Sequence, residues 1–209
     1  MGYHMRQRHI KRATVENLTD MGVLFEPTLL HLPNLKRVHL EIGSGKGHFI
    51  TSLADHYKDE HFIALEIDRD VCYRIAEKKE AMQLTNLTIL CTDAKILTSW
   101  IPTSSIDTIY LNFSDPWPKK KHHKRRLTYP TMLNMYKTLL KQEGILQFRT
   151  DHKELFDDSI TYFEHIFNIT DIQYALPESP FMTEYEVKKR TLGPIYQLKG
   201  KPHYDTKAL

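Results

Sequence analysis

From residue 37 onward the chain repeats one unit: a short β-rich run, a turn, an amphipathic helical run and another β-rich run. Residues 37–42, 62–67, 87–91, 106–111 and 145–149 read as strands. Helical spacing links them at residues 48–57, through Val71, Ile75, Lys78, Lys79 and Met82, through Met132, Leu133, Tyr136, Leu139 and Leu140, and at 155–167. Such alternation predicts a mostly parallel sheet covered by helices on both faces. Residues 169–174 and 195–198 are expected to pair as an antiparallel C-terminal edge, separated by a long polar insertion. Residues 15–32 hold scattered apolar side chains and predict a short cap, with a turn at Pro33 and Asn34. The expected organisation is a basic arm and cap over residues 1–34 and a single domain over 35–209.

No apolar run approaches the roughly 20 residues that span a bilayer, and the N-terminus lacks an apolar signal core. A soluble, cytoplasmic protein is expected. Cys72 and Cys91 are too few and too far apart for a disulfide framework or a metal motif, so buried packing is expected of both. The net charge is only +3, so basic character lies in its placement. Residues 119–126 form one cationic cluster and residues 6–12 another, the second without apolar periodicity, as in an arm ordered by an anionic partner.

The turn after the first strand is Gly43-Ser44-Gly45-Lys46-Gly47. Its G-x-G-x-G spacing departs from the dinucleotide fingerprint, and Gly47 stands where a P-loop needs Ser or Thr. Glu41, two residues before Gly43, would repel a pyrophosphate but attract the ammonium and sulfonium charges of S-adenosylmethionine. Methyl transfer therefore ranks above hydride transfer. Glu66 ends the second strand about 20 residues after the turn, where an acid accepts hydrogen bonds from ribose hydroxyls. Asp93, just past the third strand, is placed to reach an adenine amino group or a neighbouring donor. Ligands of such sheets collect outside the strand carboxyl ends, so Glu41, Glu66, Asp93 and Asp115 are expected to converge on one crevice.

Residues 112–127 read Asn-Phe-Ser-Asp-Pro-Trp-Pro-Lys-Lys-Lys-His-His-Lys-Arg-Arg-Leu. The preceding strand delivers Asp115 to its carboxyl end, and Pro116 and Pro118 stiffen the loop around Trp117. A carboxylate, an aromatic face and a cationic run in one loop suit a nucleobase carried on a polyanion. Trp117 either faces an extruded base or plugs the loop. Thr183-Glu184-Tyr185-Glu186 reads both as a helix-capping box and as part of a shaped loop that closes over substrate.

Residues 41–49, residues 112–127, Thr150-Asp151 and residues 183–186 together resemble the bacterial tRNA (guanine-N7-)-methyltransferases, in order and over nearly the whole chain from Glu41. The resemblance implies a Rossmann-like class I methyltransferase fold with a seven-stranded, mostly parallel sheet, and methyl transfer from S-adenosylmethionine to N7 of a guanine in the tRNA variable loop. It implies cofactor contacts at Glu41, Gly43, Gly45, Glu66, Asp93 and Asp115, with Asp115 also catalytic. Substrate contacts fall to Lys119, Asp151, Thr183, Glu184, Tyr185 and Glu186. RNA contacts fall to Lys121, His122, His123, Lys124, Arg125 and Arg126. No metal is implied, and a monomer or homodimer is expected. Ala64 stands where the family often has glycine, and the N-terminal arm departs from its basic-aromatic pattern. The rival readings are a non-catalytic RNA-binding module on the same fold, a dehydrogenase, and a methyltransferase for a small molecule, which would leave the basic run unused.

Overall fold

A computed structural model describes residues 8–32 and 36–203. The turn expected at Pro33 and Asn34 and the start of the basic arm lie outside the described residues. One eight-stranded sheet carries the chain: β1 (Val23–Leu24), β2 (Val38–Ile42), β3 (His61–Glu66), β4 (Leu87–Cys91), β5 (Ile106–Asn112), β6 (Leu140–Thr150), β7 (Phe167–Gln173) and β8 (Tyr196–Pro202). Their spatial order is β1-β4-β3-β2-β5-β6-β8-β7. The first six pair in parallel, and β8 runs antiparallel between β6 and β7. Among the described residues the sheet has eight strands rather than the expected seven. The extra one, β1, lies in the segment expected to be only a cap; at two residues with one buried, it is too short to show a period.

The helices are α1 (Val15–Asp20), α2 (His48–His56), α3 (Arg69–Ala81), α4 (Pro130–Leu139), α5 (Lys153–Glu164) and α6 (Glu184–Arg190). Helices α1, α2 and α3 cover one face through Leu18, Phe49, Ile50, Cys72 and Ile75, against Phe62, Ala64 and Ile89. On the other face α4 and α5 bury Leu133, Tyr136, Phe156 and Phe163 against Leu40, Ile63, Ile109 and Phe148. Each fully buried side chain of this size contributes roughly 1.5–3 kcal/mol of transfer free energy, enough to fix the strand faces and the register. No helix among the described residues is long and apolar enough to cross a membrane.

Strand β2 sits at the centre, with β3 on one side and β5 on the other. The chain moves outward from β2 through β3 to β4, then returns to place β5 beside β2. The strand order reverses there, the point at which such sheets bind ligands outside the carboxyl ends of their strands.

Candidate active site at the carboxyl edge of the sheet

The glycine turn leaves β2 with three left-handed residues: Gly43, Gly45 and Gly47 have φ of 74°, 52° and 76°. Side chains rarely adopt that conformation. Gly47 also faces Ile75 of α3, whose carbons would lie 3.0 Å from an added Cβ. Gly43 and Ser44 donate their amides to Leu65 O at 2.9 and 3.0 Å, tying the turn to β3. The Gly45 amide donates to Glu66 Oε2 at 3.0 Å, and Glu66 Oε1 accepts from the Ile67 amide at 2.8 Å. Burial raises the Glu66 pKa despite these bonds. Nothing lies within 4 Å of a Cβ at Gly45, so the turn is open to a ligand there. Asp93 follows β4 and caps the turn Ala94–Ser99, accepting from the Lys95 amide at 2.9 Å.

Glu41 is 1% exposed. Its Oε1 accepts from Asn112 Nδ2 at 2.8 Å, while Oε2 is buried with no hydrogen-bond partner among the described residues. Desolvation dominates and pushes its pKa up to about 8. Such a carboxyl group suits a cationic ligand: an arriving ammonium would supply the missing donor and the compensating charge. The side chains at this point of the sheet therefore fit the expected sulfonium donor, which also carries an ammonium group.

On the β5–β6 side, a cavity of about 470 Å³ is lined by residues that include Asp115, Thr150, Asp151, Tyr185 and Lys189. The loop that presents Asp115 is strained, since Phe113 and Trp117 hold φ of 54° and 40° without being glycine. Across the cavity Asp151 Oδ2 forms an ion pair with Lys189 Nζ at 2.9 Å and accepts from the Tyr185 hydroxyl at 3.3 Å. Glu41, Glu66, Asp93 and Asp115 thus all stand at the carboxyl edge. Asp115 lines the cavity together with Asp151, whereas Glu41, Glu66 and Asp93 lie on the β2–β3–β4 side and are not part of its lining.

Two expected contact residues are corrected by their surroundings. Arg126 is fully buried rather than on the RNA-facing surface. Its Nε donates to Pro116 O at 2.8 Å and its Nη1 to Asp158 Oδ2 at 2.6 Å, so it anchors the Asp115 loop to α5. Glu186 is likewise fully buried, paired with Arg149 at 3.3 Å and Arg190 at 2.6 Å, which leaves it no face toward substrate. Thr183 is the N-cap of α6, with Oγ1 accepting from the Glu186 amide at 2.9 Å, so half of the capping box forms while the Glu186 carboxylate turns to Arg149 and Arg190. Glu184 reaches Lys78 Nζ at 3.4 Å. Arg190 also donates to Leu176 O and Pro177 O, so the polar insertion and α6 fold as a shaped segment beside the cavity.

Lys119, Lys121, Lys124 and Arg125 are exposed, and His122 and His123 half-buried, around the short turn Lys120–Arg125. The Arg125 guanidinium lies 4.9 Å from the centre of the Trp117 ring, and His122 meets that ring edge-on. Glu154 and Asp158 from α5 approach His123 closely enough for their ligand atoms to lie within 4.8 Å of one another. Arg126 Nη2 is 2.9 Å from His123 Nε2, so a guanidinium already supplies the positive charge of that cluster. Sequence reasoning passed over Asn112, Arg149 and Lys189. Asn112 lay within the quoted block, but the register that sets it against Glu41 is a property of the sheet.

A parallel sheet with this order, a glycine turn at its switch point and acids at successive strand ends define a class I methyltransferase. Solved structures agree in fold: the 16S rRNA methyltransferase KamB superposes with a TM-score of 0.63 at 15% identity, covering 95% of this chain and 98% of that one. An antibiotic-related methyltransferase gives 0.60 at 17% identity, covering 92% and 98%. Residues 35–198 match the family described as putative methyltransferase. The chain is 42% identical over 175 residues to the tRNA (guanine-N(7)-)-methyltransferase of Staphylococcus epidermidis, covering 79% of this chain and 80% of that protein. It is 41% identical to the enzyme of the same name from Staphylococcus carnosus, covering 79% and 82%. The chain belongs to the tRNA (guanine-N(7)-)-methyltransferase family.

Proposed function

We propose that this protein methylates N7 of a guanine in the variable loop of tRNA, with Asp115 and Asp151 holding the base between them. The observation that supports the reading is the cavity lined by both Asp115 and Asp151 at the ends of β5 and β6. S-adenosylmethionine is the methyl donor. When bound it supplies an electrophilic methyl on a cationic sulfur.

Guanine N7 already has an in-plane lone pair, so no general base is required. What the chain contributes is alignment, where positioning reduces a barrier by roughly 7–11 kcal/mol in favourable cases. The guanine becomes cationic on methylation, and the two carboxylates stabilise charge where it develops. A carboxylate also accepts the N1 and exocyclic amino hydrogens in a paired geometry, which would distinguish guanine from adenine. Glu41, Glu66 and Asp93 serve the donor, and the exposed cations of residues 119–125 hold RNA phosphates. Extrusion of the base costs a few kcal/mol, offset by those phosphate contacts and the cavity. The enzyme acts in the cytoplasm.

The test is incubation of the purified protein with unmodified tRNA and methyl-labelled cofactor, followed by mapping of the modified nucleotide. Label at N7 of a variable-loop guanine is expected; label elsewhere, or none, refutes the reading.

A further inference from the structure

We propose that Asn112 is a donor-binding residue: together with Glu41 it forms a two-acceptor subsite for the ammonium group at the amino-acid end of the methyl donor. The proposal rests on the methyl-donor reading above and adds a residue and a recognition rule to it.

Glu41 of β2 is in register with Tyr110 of β5, and Asn112 stands two residues further along, so the Glu41 and Asn112 side chains leave the same sheet face. Asn112 is 7% exposed and Glu41 1%. The single bond between them, from Asn112 Nδ2 to Glu41 Oε1, uses one donor and one acceptor. Glu41 Oε2 and Asn112 Oδ1 are left buried, and neither has a hydrogen-bond partner among the described residues. With Glu41 ionised, both orphans are acceptors. Reversing the amide would set Oδ1 against Oε1, acceptor against acceptor, so the network favours the orientation described.

Buried polar atoms are ordinarily satisfied, and two unsatisfied acceptors on adjoining side chains at a switch point ask for one group with several donors. An ammonium has three. A hydroxyl has one, and an amide has two but no charge. The surrounding charge also selects a cation. Glu66 adds to the negative potential at Glu41, and the nearby Arg149 is countered by its own ion pair with Glu186. Ser44 Oγ donates to the backbone oxygen of Glu41 at 3.0 Å and lies near enough to the carboxyl group to lower its pKa, but its one hydrogen cannot satisfy both acceptors. Asn112 thus has two functions: its amide nitrogen fixes the Glu41 carboxylate, and its amide oxygen completes the pair of acceptors.

The test is calorimetric and needs no turnover. S-adenosylhomocysteine keeps the ammonium, its deaminated analogue lacks that group alone, and 5′-methylthioadenosine lacks the whole amino-acid end. Wild-type protein is expected to bind S-adenosylhomocysteine about tenfold or more tighter than the deaminated analogue, as befits charge-assisted bonds. In Asn112→Ala that preference should fall to about threefold or less, with 5′-methylthioadenosine affinity changed by less than about twofold. Asn112→Ser, which keeps a short polar group, is a second variant should the alanine form not fold, and a reduced preference is expected there too. Equal wild-type affinity for the homocysteine and deaminated ligands overturns the proposal, as does an Asn112 variant that weakens all three ligands alike. Wild-type protein that binds none of the three is a different failure, since it overturns the methyl-donor reading itself.

Discussion

Glu41 is expected to reduce stability in return for function, and Glu41→Gln should show this as a pH-dependent gain. The carboxyl group titrates near its ordinary value of 4.5 in the unfolded chain and at about 8 in the fold, chiefly through desolvation. A raised carboxyl pKa means that the native state holds its proton longer than the unfolded state. Stability therefore falls as pH rises from the unfolded value to the folded one, and the loss is complete above it. The shift of about 3.5 units at roughly 1.36 kcal/mol each amounts to roughly 5 kcal/mol, absent well below pH 4.5 and fully present above about pH 8. Glutamine keeps the shape and the bond to Asn112 without the charge. Urea unfolding of both proteins at about pH 5 and about pH 9 should give curves whose separation grows by several kcal/mol toward the alkaline end, with the variant the more stable there. The same variant should lose most of its affinity for S-adenosylhomocysteine. Parallel pH profiles for the two proteins would refute the argument, because Glu41 would then be ionised as readily in the fold as in the unfolded chain.

Asp115→Ala should lower methyl transfer by about 100-fold or more while leaving tRNA affinity nearly unchanged, as measured by single-turnover kinetics and filter binding; unchanged turnover would remove Asp115 from the mechanism. Five exposed cations at Lys119, Lys120, Lys121, Lys124 and Arg125 imply a log-log salt slope for tRNA binding of roughly −4. Arg125→Ala should reduce that slope by about 1, whereas Arg126→Ala should instead lower the unfolding free energy by roughly 3 kcal/mol by removing a buried anchor. Lys189→Ala should lower kcat by about tenfold with a smaller change in KM, because Asp151 loses the ion pair that orients it, and Lys189→Arg should restore most of the loss.

The parallel sheet was legible because buried strands and amphipathic helices carry their periods locally: residues 87–91 were expected as a strand and are β4, Leu87–Cys91. Strand β6 was expected from residue 145 but begins at Leu140. Gly144 interrupts its pattern, at a point where backbone oxygens of Lys141 and Ile106 would lie 2.9 and 3.0 Å from a Cβ. The acids at the strand ends were legible because a parallel sheet sends every carboxyl end to one edge. Arg126 and Glu186 were not. A basic run looks uniformly solvated in one dimension, and only the packing of α5 against the loop turns its sixth cation inward to Pro116 and Asp158. Likewise the N-cap half of the motif explains Thr183 and the amide of Glu186, but the Glu186 carboxylate is directed by Arg149 on a strand 37 residues away.

That same Arg149 joins the two halves of the site. It lies on β6, one residue before Thr150, pairs with Glu186 of α6, donates to Phe181 O in the insertion, and acts electrostatically on Glu41. The positive charge of Arg149 is shared between the acid expected to meet the methyl donor and the acid that holds the substrate-side segment. Glu186→Gln should separate these two effects. Leaving Arg149 buried without its counter-charge should lower overall stability by roughly 3–5 kcal/mol. The uncompensated guanidinium should at the same time favour ionised Glu41, so its pKa falls and stability depends less steeply on pH between about 4.5 and 8 than in the wild type. A less stable variant with an unaltered pH slope would mean that Arg149 supports α6 alone and that the donor and substrate sides are electrostatically independent.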